Sequence, residues 1–417
     1  MSKTVVINYP NMSQLGGIEK YLHNLARFLL NNNVRVIWLL YKERLIAESY
    51  KNFFESPNLE IKSIQTNGYH WFKTEEIVFN KNESVTILSF GPFEMIKSEF
   101  LANKYKDNVK KIVPYFLLPD TTGSQYFPET IFKGKLHNVF YKHLNFNIRR
   151  WLDNNQIYFF SKSHIKSLEK HYSVSVDNPN EKLLKRISEP KPLDFESLVK
   201  RSKKETFTII SIGRLDFPHK GYILGLVKAF ARLKKIYPQI QLRIIGDGAD
   251  KHRLEKQIEE LSDEIKKDIF LLGYIDHDNL HEYFKDSHLN IGVAGATGDG
   301  ARNGVLTLVA RNYSEECEVY GFLPDAVEMT TSLAEGYSVD SFIEQALQMS
   351  PDEYTQRCID AYNNHRMLID VCPMQLIEAT DKQSNVSFNV YEIKIMRLLN
   401  YLYKLAVKIQ LRIIRRD

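Results

Sequence analysis

Cysteine is scarce in this chain. Cys317, Cys358 and Cys372 are the only three among 417 residues. They are an odd set without the paired spacing of a zinc site or a secreted disulfide framework, so a reducing, cytoplasmic setting is expected. Long apolar runs are missing as well, since none reaches the roughly 18 residues that a spanning helix needs. Met1-Ser2-Lys3 passes straight into Thr4-Val5-Val6-Ile7-Asn8, which reads as a first strand and not as the apolar centre of a secretion signal. A strong charge excess is also absent. A formal net charge of +5 argues against wholesale coating of nucleic acid, and no nucleic-acid partner is expected. What the chain does have is 43% hydrophobic and 26% charged residues, over a length that allows two ordinary domains with a buried core each.

Short β-branched runs alternate with longer amphipathic ones, the pattern of parallel sheets joined by crossover helices. Strands are predicted at residues 4–8, 35–41, 59–64, 85–90, 111–116 and 156–160, with helices at 18–30 and 162–171. Between 174 and 205 the composition turns to Asp, Asn, Pro, Ser and charge, and Pro179, Pro190 and Pro192 stop any helix. The expected division is therefore a first domain at 1–185, a linker at 186–205, a second domain at 206–375 and a tail at 376–417. In the second half, strands at 206–212, 241–245, 269–272 and 289–293 alternate with helices at 222–237, 251–261 and 278–285, which is a second doubly wound sheet.

Three motifs in that half sit where strands end. Ile209-Ile210-Ser211-Ile212 is followed by Gly213-Arg214-Leu215-Asp216-Phe217-Pro218-His219-Lys220-Gly221. In an open parallel sheet, ligands bind beyond the carboxyl ends of the strands, so Arg214 and Lys220 are delivered to that edge. A guanidinium forks onto two phosphate oxygens and an ammonium acts as a point charge, so together they suit a diphosphate. Each such pair is worth on the order of 4 kcal/mol at roughly 4 Å and an effective dielectric near 20, before desolvation. Two cations would then do the work of a metal ion, and no metal site is expected. Taken alone, the pair reads equally well as ordinary surface cations.

The strand Leu242-Arg243-Ile244-Ile245 runs into Gly246-Asp247-Gly248, and Ile269-Phe270-Leu271-Leu272 runs into Gly273-Tyr274-Ile275. Glycine there lets the backbone approach a ligand closely. Gly292-Val293-Ala294-Gly295-Ala296-Thr297-Gly298-Asp299-Gly300 is a small-residue loop leading into a helix whose first amides favour an anion. A dinucleotide fingerprint is not met, because Lys251 stands where the third glycine should be, which counts against an NAD-dependent oxidoreductase.

In this order and spacing the motifs resemble the retaining glycosyltransferases of family 4, which have the GT-B fold, two doubly wound Rossmann-like domains facing a cleft. The resemblance rests on Ser211-Ile212-Gly213-Arg214-Leu215 with Lys220-Gly221, on Ile244-Ile245-Gly246-Asp247-Gly248, and on Leu271-Leu272-Gly273-Tyr274 followed by Asp278-Asn279-Leu280. In the first half it rests on Gly16-Gly17-Ile18-Glu19-Lys20-Tyr21, which looks like the family's glycine-rich turn. It implies that Arg214 and Lys220 hold the donor diphosphate and act as the catalytic cations. It further implies that the backbone at Gly273, Tyr274 and Ile275 and the side chain of Leu280 receive the base, that Gly246, Gly295, Ala296 and Thr297 line the donor, and that Gly17 faces them. Gly16, Glu19 and Asp120 would lie on the acceptor side. The implied donor is a nucleotide-diphosphate sugar, a UDP-sugar for preference, with no further cofactor.

Two departures accompany the resemblance. The family carries two glutamates separated by seven residues, the first near the donor sugar and the second on the ribose. Asp299 falls on the second, and its two oxygens can still accept from ribose hydroxyls, while the segment holding the first is shortened. The family's histidine beside the reacting sugar has no counterpart in Phe116-Leu117-Leu118-Pro119-Asp120-Thr121, where Asp120 reads equally as a turn or cap residue. His219 and His277 stand singly and read as surface residues.

Residues 390–416 read as one long helix. Lys394, Arg397, Lys404, Lys408, Arg412 and Arg415 form a band against Ile395, Leu398, Leu399, Leu402, Leu405, Ala406, Ile409 and Ile413. Such a C-terminal amphipathic helix suits an anionic membrane surface, and packing across the first domain is the other reading. The combined expectation is a hexosyltransferase, peripheral on the inner face of the cell membrane, that glycosylates a glycan or lipid-linked oligosaccharide for capsule, O-antigen or another surface polysaccharide. A non-catalytic GT-B subunit that stabilises a partner transferase stays open because of the two departures.

Overall fold

The structure is a computed structural model that describes residues 3–10, 12, 17–42, 46–65, 73–90, 92–116, 135–154, 156–160, 162–187, 191–203, 205–326, 335–370, 390–395, 398–399 and 401–402. Gly16 and Asp120 lie outside these residues. The chain divides into two units, one of Met1–Ser188 with Asp370–Asp417 and one of Glu189–Ile369.

The first unit contains β1 (Lys3–Asn8), α1 (Gly17–Asn31), β2 (Arg35–Tyr41), α2 (Glu48–Phe54), β3 (Leu59–Gln65), β4 (Lys73–Thr74), β5 (Ser84–Phe90), α3 (Pro92–Lys104), β6 (Val109–Phe116), α4 (Lys135–Asp153), β7 (Tyr158–Phe159), α5 (Lys162–Tyr172) and β8 (Arg186–Ile187). Its main sheet runs β4-β3-β2-β1-β5-β6-β7, parallel except for the edge strand β4. Because helices cover both faces, its central strands are buried along nearly their whole length, as Val5-Val6-Ile7 and Val36-Ile37-Trp38-Leu39-Leu40 are.

Helix α1 illustrates how sequence becomes packing. Leu22, Leu25, Ala26 and Leu29 recur at helical spacing, lie on one face and are fully buried against Val36 and Trp38. The helix stops at Asn32-Asn33, where Asn33 takes a left-handed φ of 57°. Trimming one of these leucines to alanine would cost about 2–5 kcal/mol.

Part of the tail returns to this unit. Residues 390–395, 398–399 and 401–402 are helical, with Ile393 and Leu399 buried and Ile395 packed on the same core as Trp151 and Phe159. The Glu392 carboxylate accepts from His143 Nδ1 at 3.0 Å and from Asn147 Nδ2 at 3.3 Å. Ile395 and Leu399, expected on a lipid-facing side, are thus engaged by the protein's own core, because their spacing fits that core equally well. Arg397, Lys404, Lys408, Arg412 and Arg415 lie outside the described residues. Among the described residues no helix is long and apolar enough to cross a membrane.

The second unit contains α6 (Phe195–Arg201), β9 (Phe207–Ile212), α7 (Tyr222–Lys234), β10 (Ile240–Ile245), α8 (Lys251–Glu259), α9 (Asp263–Lys266), β11 (Ile269–Gly273), α10 (Leu280–Phe284), β12 (Leu289–Gly292), α11 (Gly295–Arg302), β13 (Leu306–Ala310), β14 (Glu318–Phe322), β15 (Tyr337–Ser338), α12 (Val339–Gln348) and α13 (Pro351–Met367). The sheet order is β11-β10-β9-β12-β13-β14-β15, parallel from β11 to β13 and antiparallel beyond. Chain order reverses about β9, which has β10 on one side and β12 on the other. This is the switch point where open α/β sheets bind ligands.

Within the stretch read as a linker, α6 is ordered by its own signals. Asp194 caps it by accepting from the Ser197 amide at 2.9 Å, and Arg201 at its end is buried, donating to the carbonyls of Phe284 and Gly304.

Candidate functional site

At the carboxyl edge of the second sheet, three loops from adjacent strands are stitched together by backbone. The Gly213 amide donates to the Ile245 carbonyl at 3.0 Å, and the Gly246 amide to the Gly273 carbonyl at 2.8 Å. The Leu215 amide donates to the Asp247 carbonyl at 3.0 Å, and the Asp250 amide to the Leu215 carbonyl at 2.9 Å. Glycine is required at the centre. Gly246 has a φ of +149°, and a Cβ there would come within 1.9 Å of the Gly213 carbonyl oxygen. The motifs after β9, β10 and β11, separate in sequence, therefore form one surface.

Arg214 and Lys220 stand on the first of these loops. Asp216 orders it: its carbonyl accepts from the Lys220 amide at 2.9 Å, one carboxylate oxygen accepts from the Ala249 amide at 3.2 Å, and the other lies 3.5 Å from Arg214. Asp250 holds the next residue, accepting from the Phe217 amide at 2.7 Å. Lys220 keeps some accessible surface, yet burial of its ammonium, and secondly the neighbouring Arg214 guanidinium, push its pKa down to about 7. A negative charge beside the loop would offset both effects.

His219 is half-buried rather than on the surface. Its ring lies 4.9 Å from that of Tyr313, whose amide donates to the His219 carbonyl at 3.3 Å. Burial first, then Lys220 and Arg214, drive its pKa to about 4, so it stays neutral beside them.

The connection from β12 to α11 consists of Val293 and Ala294 alone. Ala294 adopts φ 50° and ψ −116°, a conformation that costs an L-residue roughly 1–3 kcal/mol and is retained where geometry is constrained. Gly295 opens the helix, is exposed, and has nothing within 4 Å of where a Cβ would be. Ala296 is half-buried beside it, whereas Thr297 is fully buried with its hydroxyl donated to the Ala294 carbonyl at 2.7 Å. Thr297 therefore shapes this turn from within.

Asp299 lies on α11, and His277 Nε2 donates to its Oδ1 at 2.9 Å, with Arg302 Nη2 at 3.4 Å from the same oxygen. His277 was expected to stand alone on the surface. No sequence signal links residues that come from the ends of two different strands. Tyr274 is 52% exposed at the end of β11, while Ile275 is half-buried. Leu280, expected to present its side chain to a base, is buried in a cluster with Ile210, Ile245 and Phe284 and acts as a packing residue.

In the first unit, Gly17 begins α1, exposed, with open space around it. Glu19 is 7% exposed and accepts from the Tyr9 hydroxyl at 2.7 Å, so it is engaged inside its own unit. Among the described residues, no group of three or more His, Cys, Asp or Glu side chains converges as a metal site would.

Comparison with known proteins finds a sequence-family match over part of the chain. Residues 194–292, from the cap of α6 to the end of β12, match the family described as glycosyl transferases group 1. The stretch contains the Arg214–Lys220 loop, Gly246, Gly273 and His277, and stops short of Asp299. A Methanocaldococcus jannaschii protein described as an uncharacterized glycosyltransferase is 30% identical over 178 residues, which are 42% of this chain and 40% of that one. A poly(glycerol-phosphate) alpha-glucosyltransferase of Bacillus subtilis is 30% identical over 154 residues, 36% of this chain and 21% of its own length. The alignments thus span less than half of either curated relative. The crystal structure of a glycosyltransferase from Rickettsia africae superposes with a TM-score of 0.57 at 14% identity, covering 98% of this chain and 99% of that one. The chain accordingly has the GT-B fold of two doubly wound α/β units, and residues 194–292 carry the sequence signature of glycosyl transferases group 1.

Proposed function

We propose that the chain is a retaining glycosyltransferase that moves a hexose from a nucleotide-diphosphate donor, a UDP-sugar for preference, to a glycan or lipid-linked acceptor in surface-polysaccharide assembly. The observation that carries this reading is the glycine-stitched edge of β9, β10 and β11 with Arg214 and Lys220 on it. As the sugar–phosphate bond loosens, negative charge accumulates on the leaving diphosphate, and two fixed cations stabilise that state more than the ground state. The leaving phosphate oxygen takes the acceptor proton in this scheme, so no separate base is required.

The test is a panel of nucleotide sugars scored for release of nucleoside diphosphate, with Lys220→Ala beside the wild type. Turnover should fall by two or more orders of magnitude in a variant that unfolds at an unchanged temperature. Equal turnover in both would end the assignment.

A second reading, a non-catalytic subunit that stabilises a partner transferase, is favoured by one observation. The connection between β12 and α11 holds only Val293 and Ala294, which leaves no acid where the family keeps its first glutamate. Donor hydrolysis separates the two, since a scaffold releases no nucleoside diphosphate with any sugar.

The surface-anchor part of the proposal is now restricted to the distal cations of the tail. Charge near an anionic leaflet is worth about 1 kcal/mol per residue, so Lys404, Lys408, Arg412 and Arg415 together would give a substantial, salt-sensitive attraction. Replacing all four with glutamine should abolish flotation with anionic vesicles. Retained flotation would remove this element of the proposal.

A further inference from the structure

Two strands of the second sheet, β10 and β9, separate β11 from β12. A short 3-10 turn after β11, His277–Asn279, nevertheless reaches α11, the helix after β12, through a side-chain contact. His277 Nε2 donates to Asp299 Oδ1 at 2.9 Å, inside the ordinary range for a hydrogen bond to a carboxylate. Arg302, one turn along the same helix as Asp299, approaches that oxygen only at 3.4 Å, and its buried Nε has no hydrogen-bond partner among the described residues. Of these two contacts to Oδ1 the histidine's is the shorter.

We propose that His277 is the positioning residue for Asp299, holding its carboxylate in the orientation that serves a ribose hydroxyl of the donor nucleotide. The inference rests on the donor-site reading above and adds to it a residue that lies between the Gly273-Tyr274 and Asp278-Asn279-Leu280 motif segments. Its physical basis is reach and freedom. An aspartate is one methylene shorter than a glutamate, so its carboxylate serves a ligand only if the short side chain is held in one rotamer. All three partners are partly accessible, with side chains 29%, 19% and 16% exposed for His277, Asp299 and Arg302, so the carboxylate is ordered without being sealed from solvent. The α10 segment that carries the turn is anchored beneath by buried Leu280 and Phe284, which gives the imidazole a rigid base.

The prediction concerns one hydroxyl and leaves the phosphates alone. Calorimetric titration of the full chain with UDP, 2′-deoxy-UDP and 3′-deoxy-UDP should show wild-type affinity for UDP at least about tenfold above that for one of the deoxy analogues, the ordinary worth of a hydrogen bond to a charged acceptor. In His277→Leu that ratio should collapse to within about threefold, through weaker UDP binding with the deoxy affinity little changed. In His277→Gln, whose amide nitrogen can occupy the place of Nε2, the ratio should return to within about threefold of wild type. A purely structural role would weaken all three ligands together in both variants. Where UDP does not bind, ADP or GDP with its deoxy analogues serves as the probe. Wild-type indifference to both hydroxyls, or undiminished discrimination in His277→Leu, overturns the positioning role. Binding of none of the nucleotides overturns the donor-site reading first, and Lys220→Ala, which should weaken all three ligands alike, reports on that reading separately.

Discussion

Lys220 should bind its ligand together with a proton. Its pKa lies at about 7 in the ligand-free protein, depressed by burial and then by Arg214. At pH 8 only about one lysine in ten is charged, and at pH 6 about nine in ten are. A diphosphate beside the ammonium favours the charged form, so binding should take up about 0.9 proton at pH 8 and about 0.1 at pH 6. The apparent Kd should correspondingly rise about fifteenfold between pH 7 and pH 8.5. His219 does not confuse the reading, because at a pKa of about 4 it is neutral across this window. A nucleotide sugar is the better ligand here, since the terminal phosphate of a free nucleoside diphosphate titrates near 6. The sign for folding follows the same logic. Between about 7 and the ordinary lysine value the unfolded chain holds more protons, so this residue makes the empty fold more stable as pH rises. Calorimetry at pH 8 in HEPES and in Tris, whose ionisation enthalpies differ, reads the proton count from the change in observed enthalpy. Equal enthalpies in the two buffers, or an affinity flat from pH 6.5 to 8.5, would refute the reasoning.

Other expectations follow from packing. Gly246→Ala drives a Cβ into the Gly213 carbonyl at a backbone conformation that disfavours side chains. A loss of about 3 kcal/mol, roughly 6–12 °C in Tm, is expected together with loss of nucleotide binding. Leu399→Ala should destabilise the first unit by about 2–4 kcal/mol in denaturant unfolding, because Leu399 is buried in the core that includes Trp151 and Phe159. An effect within 0.5 kcal/mol would mean that the tail helix is not docked in solution.

The parallel strands β9, β10, β11 and β12 were legible because each is a short, largely apolar run with glycine at its end, and all four lie within a residue or two of their expected positions. Harder to read were elements whose signal is local and polar. Asp194 before α6 and Ser350 before α13, whose hydroxyl accepts from the Glu353 amide, are start signals that the nearby prolines and charges obscured. The antiparallel strands β14 and β15 close the sheet with ordinary, partly polar residues, which periodicity alone does not separate from loop.

The loop that carries Arg214 and Lys220, and the glycines hydrogen-bonded beside it, were legible because each follows directly on an apolar strand. The His277–Asp299 pair was not, since it depends on a tertiary approach across two strands. Leu280 and Thr297 have motif positions beside the same edge, and their side chains are buried there.

The most direct measurement compares uridine with UDP as ligands of the wild type and of Lys220→Ala. If the loop after β9 grips a diphosphate, UDP binds wild type at least about thirtyfold more tightly than the variant, while uridine binds both alike. Equal UDP affinity in the two proteins would contradict the role given to this loop.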